Sequence, residues 1–136
     1  MILVDTSVWI DYLKGIKSQH TDALDDAIIE GIVAMGDLIF LEILQGIRDD
    51  HEYQLTKELL LTLDPLEMLG KDMSVKCADN YRTLRKKGIT IRKTADVIIA
   101  TFCIEQKLPL LFLDRDFIPF IDHLGLGSVL PITSSK

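Results

Sequence analysis

Met1-Ile2-Leu3-Val4-Asp5-Thr6-Ser7-Val8-Trp9-Ile10 opens the chain and carries its strongest structural signal. The continuous apolar run before Asp5 reads as a strand, residues 1–5, buried on both faces. Thr6 or Ser7 can cap a helix directly after it, with Val8, Trp9, Tyr12 and Leu13 as the apolar face. A strand that passes straight into a helix begins an α/β fold.

Working outward, the pattern repeats. Thr21 begins a helical pattern through Leu24, Ala27, Ile28 and Ile29 that Gly31 ends. Ile32–Ala34 reads as a short strand, Gly36-Asp37 as a turn, and helix follows from about Phe40 to Gly46. A helix over 51–61 stops at Asp64-Pro65, and Leu66–Leu69 reads as a third strand. Asp72–Lys87 is a long amphipathic helix ended by Gly88, and Ala95–Gln106 is another. Pro109 opens a strand over 110–113, Phe117–Leu124 is a short helix, and Val129–Ile132 a last edge strand. Thr133–Lys136 is expected to fray. Alternating strands and helices imply a parallel sheet of four to five strands with helices on both faces, in one domain over 1–136.

The chain has 136 residues, enough to bury a core, and 48% are apolar, too many for a disordered chain. A net charge of −6 and a pI near 4.9 argue against coating nucleic acid by bulk charge. The apolar runs are too short to span a bilayer, and the basic start of a signal peptide is absent, so a cytoplasmic protein with no membrane partner is expected. Cys77 and Cys103 read as small core residues; His20, His51 and His123 are isolated.

Five carboxylates stand out: Asp5, Glu42, Asp96, Asp114 and Asp116. Singly, each has a bland explanation, as a helix cap or a favourable charge at a helix start. Glu42 resists it, because it interrupts Leu38-Ile39-Phe40-Leu41 and Ile43-Leu44. Together they fall where a parallel sheet gathers its functional groups, outside the carboxyl ends of the strands. Acids packed that closely repel unless a cation neutralises them. An oxygen-only donor set, with no His or Cys, favours Mg²⁺ or Mn²⁺. Such an ion suits phosphoryl chemistry. Just before Asp96 lie Arg82, Arg85, Lys86, Lys87, Arg92 and Lys93 with no acid among them. A solvated helix end explains them about as well as a phosphate-contact strip.

With these motifs in view, the chain resembles PIN domains. Ile2 through Ile10 is similar to the family's opening, Leu41-Glu42-Ile43-Leu44-Gln45-Gly46 to its second acidic motif, Thr94-Ala95-Asp96-Val97 to its third and Leu113-Asp114-Arg115-Asp116-Phe117 to its fourth. Order, spacing and length resemble VapC-type toxins of prokaryotic toxin–antitoxin pairs over nearly the whole chain. The resemblance implies a three-layer α/β/α sandwich and a Mg²⁺- or Mn²⁺-dependent endoribonuclease acting on structured RNA of the tRNA or rRNA class, leaving 5′-phosphate and 3′-hydroxyl ends. It implies Asp5, Asp96 and Asp114 or Asp116 as metal ligands, Glu42 as a further catalytic acid, and Thr6 as a residue that positions the first acid or a phosphate. It also implies a homodimer and a VapB-type antitoxin that wraps the toxin with a helical segment. Leu113 and Thr101 depart from it, where family members commonly carry a small polar residue and an alanine.

A receiver domain needs a late Lys, but none stands between the 110–113 strand and Lys136. A haloacid-dehalogenase-type phosphatase needs an acid where Ser7 stands. The alternative from another class is a catalytically silent protein-binding module on the same fold.

Overall fold

A computed structural model describes residues 1–132; the expected fraying of 133–136 lies outside the described residues. The sheet is parallel, in the order β2-β1-β3, with β1 at Ile2–Val4, β2 at Val33–Ala34 and β3 at Leu110–Leu111. Ile2 pairs with Val33, and Leu3 with Leu110. All the residues of β1 are buried, as a central strand covered on both faces requires.

Among the described residues seven α-helices surround it: α1 Thr6–Leu13, α2 Gln19–Glu30, α3 Asp37–Gln45, α4 Asp50–Leu61, α5 Lys71–Lys86, α6 Thr94–Gln106 and α7 Ile118–Leu124. Right-handed crossovers fix their sides. The chain moves from β1 to β2 through α1 and α2, then returns across the sheet to β3 through α3, α4, α5 and α6. The helices pack in two groups: α1 contacts α2 and α3, and α3 contacts α4, while α5 contacts α6 and α7. The result is the expected three-layer α/β/α sandwich. Its switch of direction falls between β1 and β3, where an open parallel sheet leaves a crevice at the carboxyl edge.

The outer strands are shorter than the sequence suggests. Among the described residues Leu66–Leu69 contributes a single bridge, Leu66 to Gly36, and the expected 129–132 strand is replaced by one bridge just before it, from Ser128 to Leu110. On the first edge the Asp37 carboxylate accepts the Met68 N–H at 3.1 Å, so a side chain replaces the next ladder bond. On the second, Pro131 has no N–H to give. β3 ends at Leu111, not Leu113, because the chain turns into the 3₁₀ segment Arg115–Phe117.

Helix starts also shift. Ser18 caps α2 in a reciprocal box with Thr21, so that helix begins two residues before Thr21. Gly31 ends it at φ 71°, left-handed backbone that favours glycine. α3 begins at Asp37 rather than Phe40. At α1 neither Thr6 nor Ser7 is the cap: Asp5 holds that position, without a side-chain cap hydrogen bond.

Candidate metal centre and its surroundings

The backbone places two of the acids directly. Asp5 N–H donates to the Leu111 carbonyl at 2.9 Å, so β1 delivers Asp5 beside the end of β3. Asp114 follows β3 by three residues and starts the 3₁₀ turn, its Oδ1 accepting the Asp116 N–H at 2.9 Å. That bond folds Asp116 back beside Asp114. Asp96 sits in the first turn of α6, which packs against the same turn. Carboxylate oxygens of Asp96, Asp114 and Asp116 all lie within 4.8 Å of one another.

Asp5 and Glu42 form the other half. Ser7 Oγ donates to Asp5 Oδ2 at 2.9 Å, and Thr6 Oγ1 donates to Glu42 Oε1 at 2.6 Å. The α1 and α3 packing thus fixes the Glu42 side chain from a helix more than thirty residues away in sequence. Burial raises the Asp5 carboxyl above its usual range; the Ser7 hydroxyl opposes this and the Glu42 charge adds to it. Asp96 joins the halves. Burial, and then the negative charges of Asp5, Asp114 and Asp116, push its carboxyl up to about 6, with Lys93 opposing. Asp96 is 6% exposed, and its Oδ2 is buried without a hydrogen-bond partner. A buried carboxylate oxygen left unpaired among like charges costs free energy that a cation removes. The donors are all hard oxygens, so the residues fit Mg²⁺ or Mn²⁺.

The basic residues divide. Arg92 pairs with Asp116 at 3.3 Å and Lys93 with Asp114 at 3.9 Å, both exposed on the cation side. These two therefore border the acids directly. Arg82 and Arg85 instead line a groove with Tyr81, Thr94 and Ile98 beside the start of α6. Arg85 lies over the Tyr81 ring at 5.5 Å. Lys86 and Lys87 are exposed at the end of α5.

Some neighbours escaped the sequence reading. Ser7 holds Asp5 rather than capping α1; a hydroxyl two residues after an acid at a strand end is the signal that was available. Cys103 is buried, and its burial together with the Asp5 charge pushes the thiol up to about 12, so it remains a neutral wall of the site. Thr101, fully buried, accepts from Asn80 Nδ2 at 3.0 Å, tying α6 to α5. No pattern in the sequence marks that pair.

A second concavity of about 630 Å³ lies between α1, α3 and α4, lined by Ile10, Leu13, Ile43, Ile47 and Leu55. Of the apolar residues of α1 and α3, Val8, Trp9, Ile43 and Leu44 are buried, while Leu13 and Leu41 are exposed. Among the described residues no helix is long and apolar enough to cross a membrane.

Comparison with known proteins agrees with this arrangement. The PIN domain family matches residues 2–120. The chain is 30% identical over 119 residues to Ribonuclease VapC11 of Mycobacterium tuberculosis, covering 86% of this chain and 89% of that protein. VapC ribonuclease Mb1587 of Mycobacterium bovis gives the same figures: 30% identity, with 86% and 89% covered. Among solved structures, VapBC2 from Rickettsia felis, bound to a promoter DNA fragment, superposes at a TM-score of 0.73 and 16% identity, covering 94% of this chain and 97% of the other. FitAcB from Neisseria gonorrhoeae superposes at a TM-score of 0.74 and 19% identity, covering 94% and 96%. Likenesses at that identity speak to the fold alone. Taken with the family match and the curated relatives, they show that this chain belongs to the PIN-domain family, in its VapC branch.

Proposed function

We propose that this protein is a Mg²⁺- or Mn²⁺-dependent endoribonuclease, the toxin of a VapBC-type pair, acting in the cytoplasm on structured RNA of the tRNA or rRNA class. The observation that carries the reading is Asp96: a buried carboxyl with an unpartnered oxygen, facing Asp114 and Asp116, on a fold whose curated relatives are named ribonucleases.

In this reading Asp5, Asp96 and Asp114 or Asp116 hold the ion, which supplies Lewis-acid stabilisation of a phosphate and an activated water. Glu42 completes the acid cluster or orients the attacking water, with Thr6 fixing its Oε1. Ser7 fixes Asp5. Arg92 and Lys93, at the rim, exchange their carboxylate partners for the RNA backbone. Arg82, Arg85, Lys86 and Lys87 continue the phosphate track away from the acids. The α1–α3–α4 groove takes an amphipathic helix of the antitoxin, and two copies of the chain pair as a homodimer.

The test is cleavage of total cellular RNA by the purified chain with Mg²⁺, Mn²⁺ or EDTA, beside Asp5→Asn. Discrete fragments that require metal and vanish in the variant support the reading. Cleavage that survives EDTA and the substitution belongs to a contaminant. No cleavage at all returns the acids to a silent, partner-binding role.

A further inference from the structure

Next to the acids, and separate from them in composition, lies a small mixed cavity of about 180 Å³. Phe112 and Leu113 follow the end of β3, Gln19 and His20 come from the first turn of α2, and Pro131 from the segment after the Ser128 bridge, with Arg115 completing the wall. β3 and the first turn of α2 thus meet at the carboxyl edge of the sheet, the edge that presents the acids. Leu113 immediately precedes Asp114, and consecutive Cα atoms are about 3.8 Å apart, so the cavity adjoins the acid cluster.

Several features need an explanation beyond folding. Leu113 is 39% exposed at a position where its side chain contributes little to the core. Phe112, Leu113 and Pro131 give the cavity apolar walls, while Gln19, His20, Arg115 and Ser128 bring polar groups to the same space. The volume is below the roughly 300–1,000 Å³ of sites for drug-sized ligands, so the cavity suits a fragment-sized group. An unstacked nucleobase has this chemistry: apolar faces, and an edge of hydrogen-bond donors and acceptors.

We propose that the cavity formed by Leu113, Phe112, Pro131, Gln19 and His20 receives one unpaired base of the RNA, the nucleotide next to the scissile phosphate. It is then a specificity pocket, with Leu113 and Pro131 sandwiching the base and Gln19 and His20 reading its edge. Leu113 departs from the small polar residue common at that position, and here it supplies one apolar wall. The proposal rests on the nuclease reading for its RNA, but the pocket can be tested without turnover.

The experiment follows His20 and Leu113 by NMR while the intact protein is titrated with each nucleoside 5′-monophosphate in Mg²⁺. These ligands contain no phosphodiester bond to cleave. Shifts of both residues are expected with one base or one class of base, and none with ribose 5-phosphate. The double variant Gln19→Ala, His20→Ala should lose the shift of Leu113 and keep the metal-induced rise in melting temperature. It should also relax the preference for the flanking nucleotide in cleaved RNA by about 10-fold. Equal shifts with ribose 5-phosphate would make this a phosphate site and overturn the proposal. Silence with every nucleotide would also overturn it, as for a cavity the chain itself fills. RNA cleavage with a silent pocket removes only the pocket; a base-selective pocket without RNA cleavage removes only the nuclease reading.

Discussion

Asp96 is the residue on which local energetics and function pull in opposite directions. Its folded pKa, about 6, lies above the ordinary 3.8, so the folded state binds more protons than the unfolded one between those values. The metal-free protein should therefore gain stability as pH falls from about 6 toward 4, and Asp96 is a destabilising charge above that window. Asp96→Asn should keep the fold, raise the metal-free melting temperature at pH 7 by a few degrees, and abolish both cleavage and the Mn²⁺-induced shift. Thermal melts at pH 5 and 7 check this: the gain should shrink at pH 5. A variant that unfolds would make Asp96 a structural residue. Because ligands must be ionised, Mn²⁺ affinity should weaken steadily below about pH 6, read by calorimetry. Thr6→Val removes the 2.6 Å bond to Glu42 and should lower kcat about 10-fold with KM little changed.

At the scale of elements, the edge beside β2 is held by a tight approach. A Cβ at Gly36 would lie 2.1 Å from Met68 Sδ, and Met68 is buried. Gly36→Ala should destabilise by about 1–3 kcal/mol by overpacking. With Met68→Ala added, the loss should be smaller than the sum of the single losses, measured as a double-mutant cycle in urea. The end of α5 gives a second test. Removing the charges of Arg85, Lys86 and Lys87 should weaken RNA binding and flatten its salt dependence by about one phosphate per effective contact. A salt slope identical to that of the native protein would make the strip a solvated helix end.

At the scale of the whole molecule, the acid edge and the α1–α3–α4 groove are different surfaces. Their functions should separate. Leu13→Asp with Leu55→Asp places charge in the groove, where both leucines are exposed, and should weaken binding of a cognate VapB-type antitoxin by at least about 10-fold. RNA cleavage by the free toxin should be unchanged. Loss of cleavage in that variant would show that the two surfaces are coupled through α1 and α3, which carry Thr6 and Glu42.

The α/β alternation and the buried β1 were legible in the sequence, which also marked the acids that the fold brings near one another. Strands buried on both faces, helix periods and an acid inside an apolar run are local signals, written within a few residues. It also supplied the resemblance to a family now borne out by comparison. It did not determine where the outer strands end, because pairing is decided by backbone partners: Asp37 intercepts the Met68 N–H, and Pro131 offers none. Nor did it show that Arg92 and Lys93 border the acids while Arg82 and Arg85 line another groove. That separation depends on the turn between α5 and α6. Only the tertiary structure joined Thr6 to Glu42, Ser7 to Asp5 and Asn80 to Thr101. Such contacts arise from how helices pack, and a hydroxyl in a sequence carries no mark of the carboxylate it will meet.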